Sequence, residues 1–212
     1  MKPSAAVTCP GAIFLTLPES SAALALPSHA SIVQWLTSAT SESAALLGPG
    51  LSQAAPAAAP LAALLGSLAA GPRGLVCDAD TLNLLARISA WWSHLPAQAV
   101  LTPHSGEMAR LTQRSASEIQ AVQIECALQY AEAWGHIVAL KGAHTAIAAP
   151  GQPGIVLPFA NPALASGDVL AGYMMVQGLA PLDTAVCDAD VHGQPASDSA
   201  PDTATLDYRL SS

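Results

Sequence analysis

The chain predicts an α/β fold, a mostly parallel sheet in a three-layer arrangement with helices on both faces. Two patterns point to it. Short, wholly apolar runs such as Gly74 to Cys77 and Ile137 to Leu140 have the continuous hydrophobicity of buried parallel strands, and segments with helical spacing lie between such runs. Polar residues collect where the runs end, and sheets of this class gather ligands at the carboxyl ends of their strands.

Ala12 to Leu17 is an apolar, partly β-branched run closed by Pro18, and Ala44 to Leu47 is another, closed by Gly48-Pro49-Gly50. Both predict buried strands. Leu61 to Leu68 carries leucines at helical spacing, and Gly74 to Cys77, ending at Asp78, predicts the strand after it. Ala99 to Leu101 predicts a strand stopped by Thr102-Pro103, with a helix from Gly106. Ser115-x-x-Glu118 has the form of a capping box. Ile119, Val122, Cys126, Tyr130 and Ala133 then fall on one face of a single helix, which Gly135 ends. Ile137 to Leu140 predicts the next strand, and Thr145 to Ala148 with Ile155 to Leu157 predicts a hairpin around Pro150-Gly151. Val169 to Val176 begins the penultimate helix, and Pro181 is placed to open the last.

A length of 212 residues predicts one domain, 1–212, with 1–10 and about 197–212 peripheral. The net charge of -8, with seven Lys plus Arg, leaves no basic stripe to neutralise a nucleic-acid backbone or an anionic membrane. The longest apolar stretch, Ala54 to Ala70, is mostly alanine and contains Pro56, Pro60, Gly66 and Ser67, which argues against a membrane span. Pro10, Gly11 and Pro18 interrupt the apolar N-terminus and argue against a signal peptide. Cys9, Cys77, Cys126 and Cys187 stand singly, so neither a zinc site nor a disulfide framework is expected, and reduced thiols in a cytoplasm fit.

Chemistry-bearing residues sit at the predicted strand ends. Gly48-Pro49-Gly50 is an ordinary turn on its own, but glycine there also allows a flat ring or a phosphate close to the backbone. Asp78, Asp80 and Asn83 form a polar cluster, in which Asp80 is expected to cap a helix beginning near Thr81. His104 and Glu107, three apart at a loop-to-helix junction, can face one cleft, although a lone histidine there is more often a cap. Lys141 ends an apolar strand, where an ammonium needs an anion such as a nucleotide phosphate unless it snorkels to solvent. In Asn161-Pro162-Ala163-Leu164-Ala165-Ser166-Gly167-Asp168, a glycine and a carboxylate stand at a helix start. Free N–H groups there hold an anion, and Asp168 can take a proton; alone, it is also simply an acid favoured by the helix dipole.

Taken together, Leu47 to Leu51, Cys77 to Leu85, Leu101 to Met108, Leu140 to Thr145 and Asn161 to Gly172 resemble, in order and spacing, the NAD(P)H-hydrate dehydratases of the ribokinase-like superfamily. The resemblance implies a ribokinase-like fold and repair of hydrated NADH and NADPH with ADP or ATP and Mg²⁺. The nucleotide phosphorylates the hydrate hydroxyl, and loss of phosphate restores the double bond. It implies Asp168 as base, and Gly50, Asp78, Asn83, His104, Glu107, Asn161 and Asp168 about the substrate. It implies Lys141, Gly142, Ala143, His144, Thr145 and Gly167 about the nucleotide, no protein metal cage, and a homo-oligomer.

Departures from the family pattern accompany it. Ser52 stands where a further glycine is usual, and Ser105 replaces a proline. Ala165-Ser166-Gly167-Asp168 is a shortened form of Thr-Gly-Gly-x-Gly-Asp, with fewer backbone donors for a phosphate. The Gly-rich strand-loop-helix that opens family members is not matched, so exposed sheet surface is expected unless a partner subunit or residues 1–10 cover it. Two alternatives follow: a non-catalytic relative that binds nucleotide or a partner, and a vitamin-precursor kinase of the same superfamily, against which the Asp78 to Leu85 and His104 to Glu107 segments argue.

Overall fold

The computed structural model describes residues 19–20, 23–24, 44–48, 61, 65 and 74–156. In chain order these form β1 (Glu19–Ser20), β2 (Ala23–Leu24), β3 (Ala44–Leu47), β4 (Gly74–Cys77), α1 (Ala79–Leu85), a 3₁₀ turn (Trp91–His94), β5 (Val100–Leu101), α2 (Ser105–Thr112), α3 (Ala116–Ala121), α4 (Gln123–Trp134), β6 (Ile137–Leu140), β7 (Ala146–Ala148) and β8 (Ile155–Val156). Leu61 and Leu65 are helical and buried, as the leucine spacing predicts. The expected strand at Ala12 to Leu17, the helices at Val169 and Pro181, and the polar tail lie outside the described residues.

β1 and β2 form a small antiparallel pair, while β3 to β8 make a six-stranded sheet in chain order. From β3 to β6 the neighbours run parallel, whereas β7 is antiparallel to both β6 and β8. Every residue of β4 and of β6 is buried. Such strands must be apolar on both faces, which is why they read as unbroken hydrophobic runs. Leu75, Leu84, Leu101, Leu140 and Met108 are completely or almost completely buried. Each contributes about 1.5–3 kcal/mol relative to exposure. Trp91 meets Trp134 edge-on at 4.7 Å, and both belong to this core.

Two local expectations are corrected. The capping box at Ser115 and Glu118 is present and Gly135 ends α4 with φ 73°, but the segment between is two helices that break at Val122 (φ -133°, ψ 50°). The halves have different partners: α3 packs on α2, whereas α4 packs on β6 and β7. The break turns Val122 outward, Ala133 is exposed, and the buried stripe of α4 is Cys126, Ala127, Leu128, Ala131 and Trp134. Secondly, Asp80 lies within the first turn of α1 and is not its cap; Asp78 holds the N-cap position and makes no side-chain cap bond. Its carboxylate is drawn to a cation across the sheet.

Candidate functional site

Hydrogen bonds continue the sheet past its strand ends and align the loops that follow. Asp78 N–H donates to Leu47 O at 2.9 Å, Thr102 N–H to Cys77 O at 3.1 Å, and Lys141 N–H to Pro103 O at 2.8 Å. His104 and Lys141 form a parallel bridge of their own. Gly48, Asp78, His104 and Lys141 thereby stand in a row at the carboxyl ends of β3, β4, β5 and β6, where parallel sheets bind ligands.

Gly48 is required by closeness. A Cβ there would lie 2.2 Å from the carbonyl oxygen of Asp78. Beside it, Ala79 takes a left-handed φ of 46°. That conformation costs an L-residue about 1–2 kcal/mol and sets the angle at which α1 leaves β4.

Lys141 Nζ donates to Asp78 Oδ1 at 2.8 Å, with side-chain exposures of 17% and 2%. The anion that Lys141 needs at a strand end is therefore supplied within the protein. Complete burial, with the negative field of Asp78 added to it, pushes the neighbouring Cys77 thiol up to about 12 and leaves it inert as a nucleophile.

His104 caps α2. Its Nδ1 accepts from the N–H groups of Gly106 at 2.9 Å and Glu107 at 3.3 Å, while Glu107 Oε2 accepts from His104 N–H at 2.9 Å. The other carboxylate oxygen, Oε1, is 3.3 Å from His104 Nε2. A neutral ring whose Nδ1 accepts carries its proton on Nε2, so the backbone N–H groups of Gly106 and Glu107 fix the tautomer. Glu107 is buried and turned to His104, whose side chain is 55% exposed.

Asn83 donates to Ala79 O at 3.1 Å and accepts from Arg110 Nη1 at 2.8 Å, so its carboxamide ties α1 to α2. Gly142, Ala143 and His144 are exposed and Thr145 is buried in the connection from β6 to β7. Gln123, which no sequence pattern singles out, donates from Nε2 to Leu140 O at 2.8 Å and to His144 O at 2.6 Å, spanning that connection. Its position at the start of α4 follows from the break at Val122, and periodicity carries no trace of that break. Gly50, Asn161, Gly167 and Asp168 lie outside the described residues. No cluster of three or more His, Cys, Asp or Glu suited to a metal occurs among the described residues.

Comparison with known proteins identifies relatives of the chain. The profile of the NAD(P)H-hydrate dehydratase family matches residues 6–211. The bifunctional NAD(P)H-hydrate repair enzyme of Moorella thermoacetica is 40% identical over 160 residues, 73% of this chain and 30% of that protein. The ADP-dependent (S)-NAD(P)H-hydrate dehydratase of Neisseria meningitidis is 32% identical over 71% of this chain and 53% of its own length. The chain thus spans about half or less of these relatives. Among solved structures, the ADP/ATP-dependent NAD(P)H-hydrate dehydratase of Bacillus subtilis, co-crystallised with ATP and Mg²⁺, matches with a TM-score of 0.57 at 27% identity over 76% of this chain and 58% of that one. A ribokinase-like superfamily protein of Enterococcus faecalis matches with a TM-score of 0.65 at 19% identity over 89% of this chain and 62% of its own, a likeness of fold alone. The mostly parallel α/β sheet is therefore ribokinase-like, and the chain belongs to the NAD(P)H-hydrate dehydratase family.

Proposed function

We propose that the chain dehydrates hydrated NADH or NADPH at the expense of ADP or ATP. The observation that carries this reading is the alignment of Gly48, Asp78, His104 and Lys141 on adjacent strand ends, in the order of the family's segments. The hydrate hydroxyl attacks the terminal phosphorus of the nucleotide and gives its proton to Asp168, while the bond from that phosphorus to the bridging oxygen breaks and AMP (from ADP) or ADP (from ATP) leaves. The C–O bond then breaks, phosphate departs, and the ring loses a proton to restore its double bond.

In this reading Gly50, His104 and Asn161 contact the hydrate, Asp78, Asn83 and Glu107 hold the surrounding elements, and residues 141–145 with Gly167 receive the nucleotide. His104 offers an Nε2–H from a ring held through Nδ1 by the N–H groups of Gly106 and Glu107. Lys141 meets the phosphates by sharing its ammonium between them and Asp78. In this reading magnesium arrives on the nucleotide's phosphates. A cytoplasmic location and a homo-oligomer accompany this reading.

The test is to incubate the chain with hydrated NADH, Mg²⁺ and ADP or ATP and follow the reduced-nicotinamide absorbance. Recovery is expected, and Asp168→Asn should abolish it. Folded protein that restores nothing with either nucleotide overturns the assignment. The short Ala165-Ser166-Gly167-Asp168 loop favours one second reading, a relative that binds nucleotide without turnover. Calorimetric binding with no recovery would select it.

A further inference from the structure

We infer that Gln123 is a positioning residue for the nucleotide, acting through the connection between β6 and β7; this rests on the function proposed above. Both hydrogens of its carboxamide are committed to that connection, one to Leu140 O at 2.8 Å and one to His144 O at 2.6 Å. The accepting carbonyls flank residues 141–143, so one planar group fixes the two ends of the turn that presents Lys141.

Gly142 supplies the reciprocal half. A Cβ on it would come within 2.7 Å of Gln123 Nε2 and 2.8 Å of Oε1. Glycine at this position makes room for the carboxamide, and the carboxamide in turn occupies the space beneath the turn. The same end of α4 supports the hairpin, since Ile124 and Leu128 are the side chains that a Cβ on Gly154 would strike. The break at Val122 places Gln123 as the first residue of α4, next to the ends of β6 and β7 that this helix covers. A side chain with one donor, or none, cannot hold both carbonyls.

The experiment combines exchange and kinetics. In Gln123→Leu, which keeps the bulk and removes both donors, amide hydrogen exchange within residues 141–145 should accelerate about tenfold while α4 and β6 stay protected. The nucleotide KM should rise about tenfold, with the hydrate KM unchanged. Gly142→Ala should raise the nucleotide KM in the parent but add little in Gln123→Ala, where the atoms it would strike are gone. Unchanged exchange in Gln123→Leu, equal rises in both KM values, or additive effects of the Gly142 and Gln123 substitutions overturn the inference. Parent protein that binds neither ADP nor ATP in calorimetry overturns the proposed function instead; the exchange result then still decides whether Gln123 orders the turn.

Discussion

Lys141 Nζ lies 2.8 Å from Asp78 Oδ1, joining the ends of β6 and β4 across the intervening β5. Removing either charge leaves the other in a poorly solvated place. Asp78→Asn and Lys141→Met should each cost about 2–3 kcal/mol, at the low end for a buried pair because Lys141 keeps some solvent. The double variant should recover part of that loss. Urea unfolding of the four proteins measures the coupling, and strictly additive losses would show that the pair contributes nothing as a pair.

His104 serves α2 as a cap and is proposed to serve the substrate as a donor, and two substitutions separate the roles. His104→Ala should lower stability by about 1 kcal/mol through loss of the cap. His104→Asn keeps a short acceptor at the N-cap and should restore most of that stability without restoring turnover. Thermal melts and the absorbance assay, run side by side, check this.

Gly48→Ala drives a methyl group into the carbonyl of Asp78. Backbone cannot swing aside as a side-chain tip can, so the loss should be about 1–3 kcal/mol. A fall in the urea midpoint is expected, with the nucleotide KM rising as Asp78 and its partner Lys141 shift. An unchanged midpoint would mean that β3 and β4 separate more easily than their ladder suggests.

Acid should weaken the fold through His136. This buried ring donates from Nε2 to Trp92 O at 2.8 Å, while its Nδ1 has no hydrogen-bond partner among the described residues. Burial pushes its pKa below the ordinary 6.5, despite the Trp92 carbonyl. The folded state therefore holds the ring neutral where the unfolded chain is already protonated. Stability is complete above pH 6.5 and falls as pH drops below that value toward the folded-state pKa. His136→Gln, which can still donate to Trp92, should flatten this part of the stability curve measured by urea unfolding.

Ala44–Leu47, Gly74–Cys77 and Ile137–Leu140 were legible to the residue because each is an unbroken apolar run closed by a turn or a charge. The β7–β8 hairpin was legible from Pro150-Gly151, and α3's start from Ser115 and Glu118. The break at Val122 was not, because helical periodicity says which face is apolar and nothing about α3 and α4 docking on different neighbours. Asp78 and Lys141 were each marked as strand-end residues, but 63 positions separate them and only the sheet order makes them partners. Asp80 has the residue type of a cap but lies inside the first turn of α1, and residue type alone does not say which of two nearby aspartates falls at the boundary. Gln123 carried no signal at all, since a glutamine on a half-exposed helix end looks like any solvated side chain.

The described strands from β3 to β8 lie side by side in the order in which they are synthesised. A growing chain can therefore add each new strand to the last without threading between earlier ones, which keeps each closure between sequential neighbours. The row of strand-end residues would then be completed from one side to the other, and Lys141 would meet Asp78 only after β5 has docked between them.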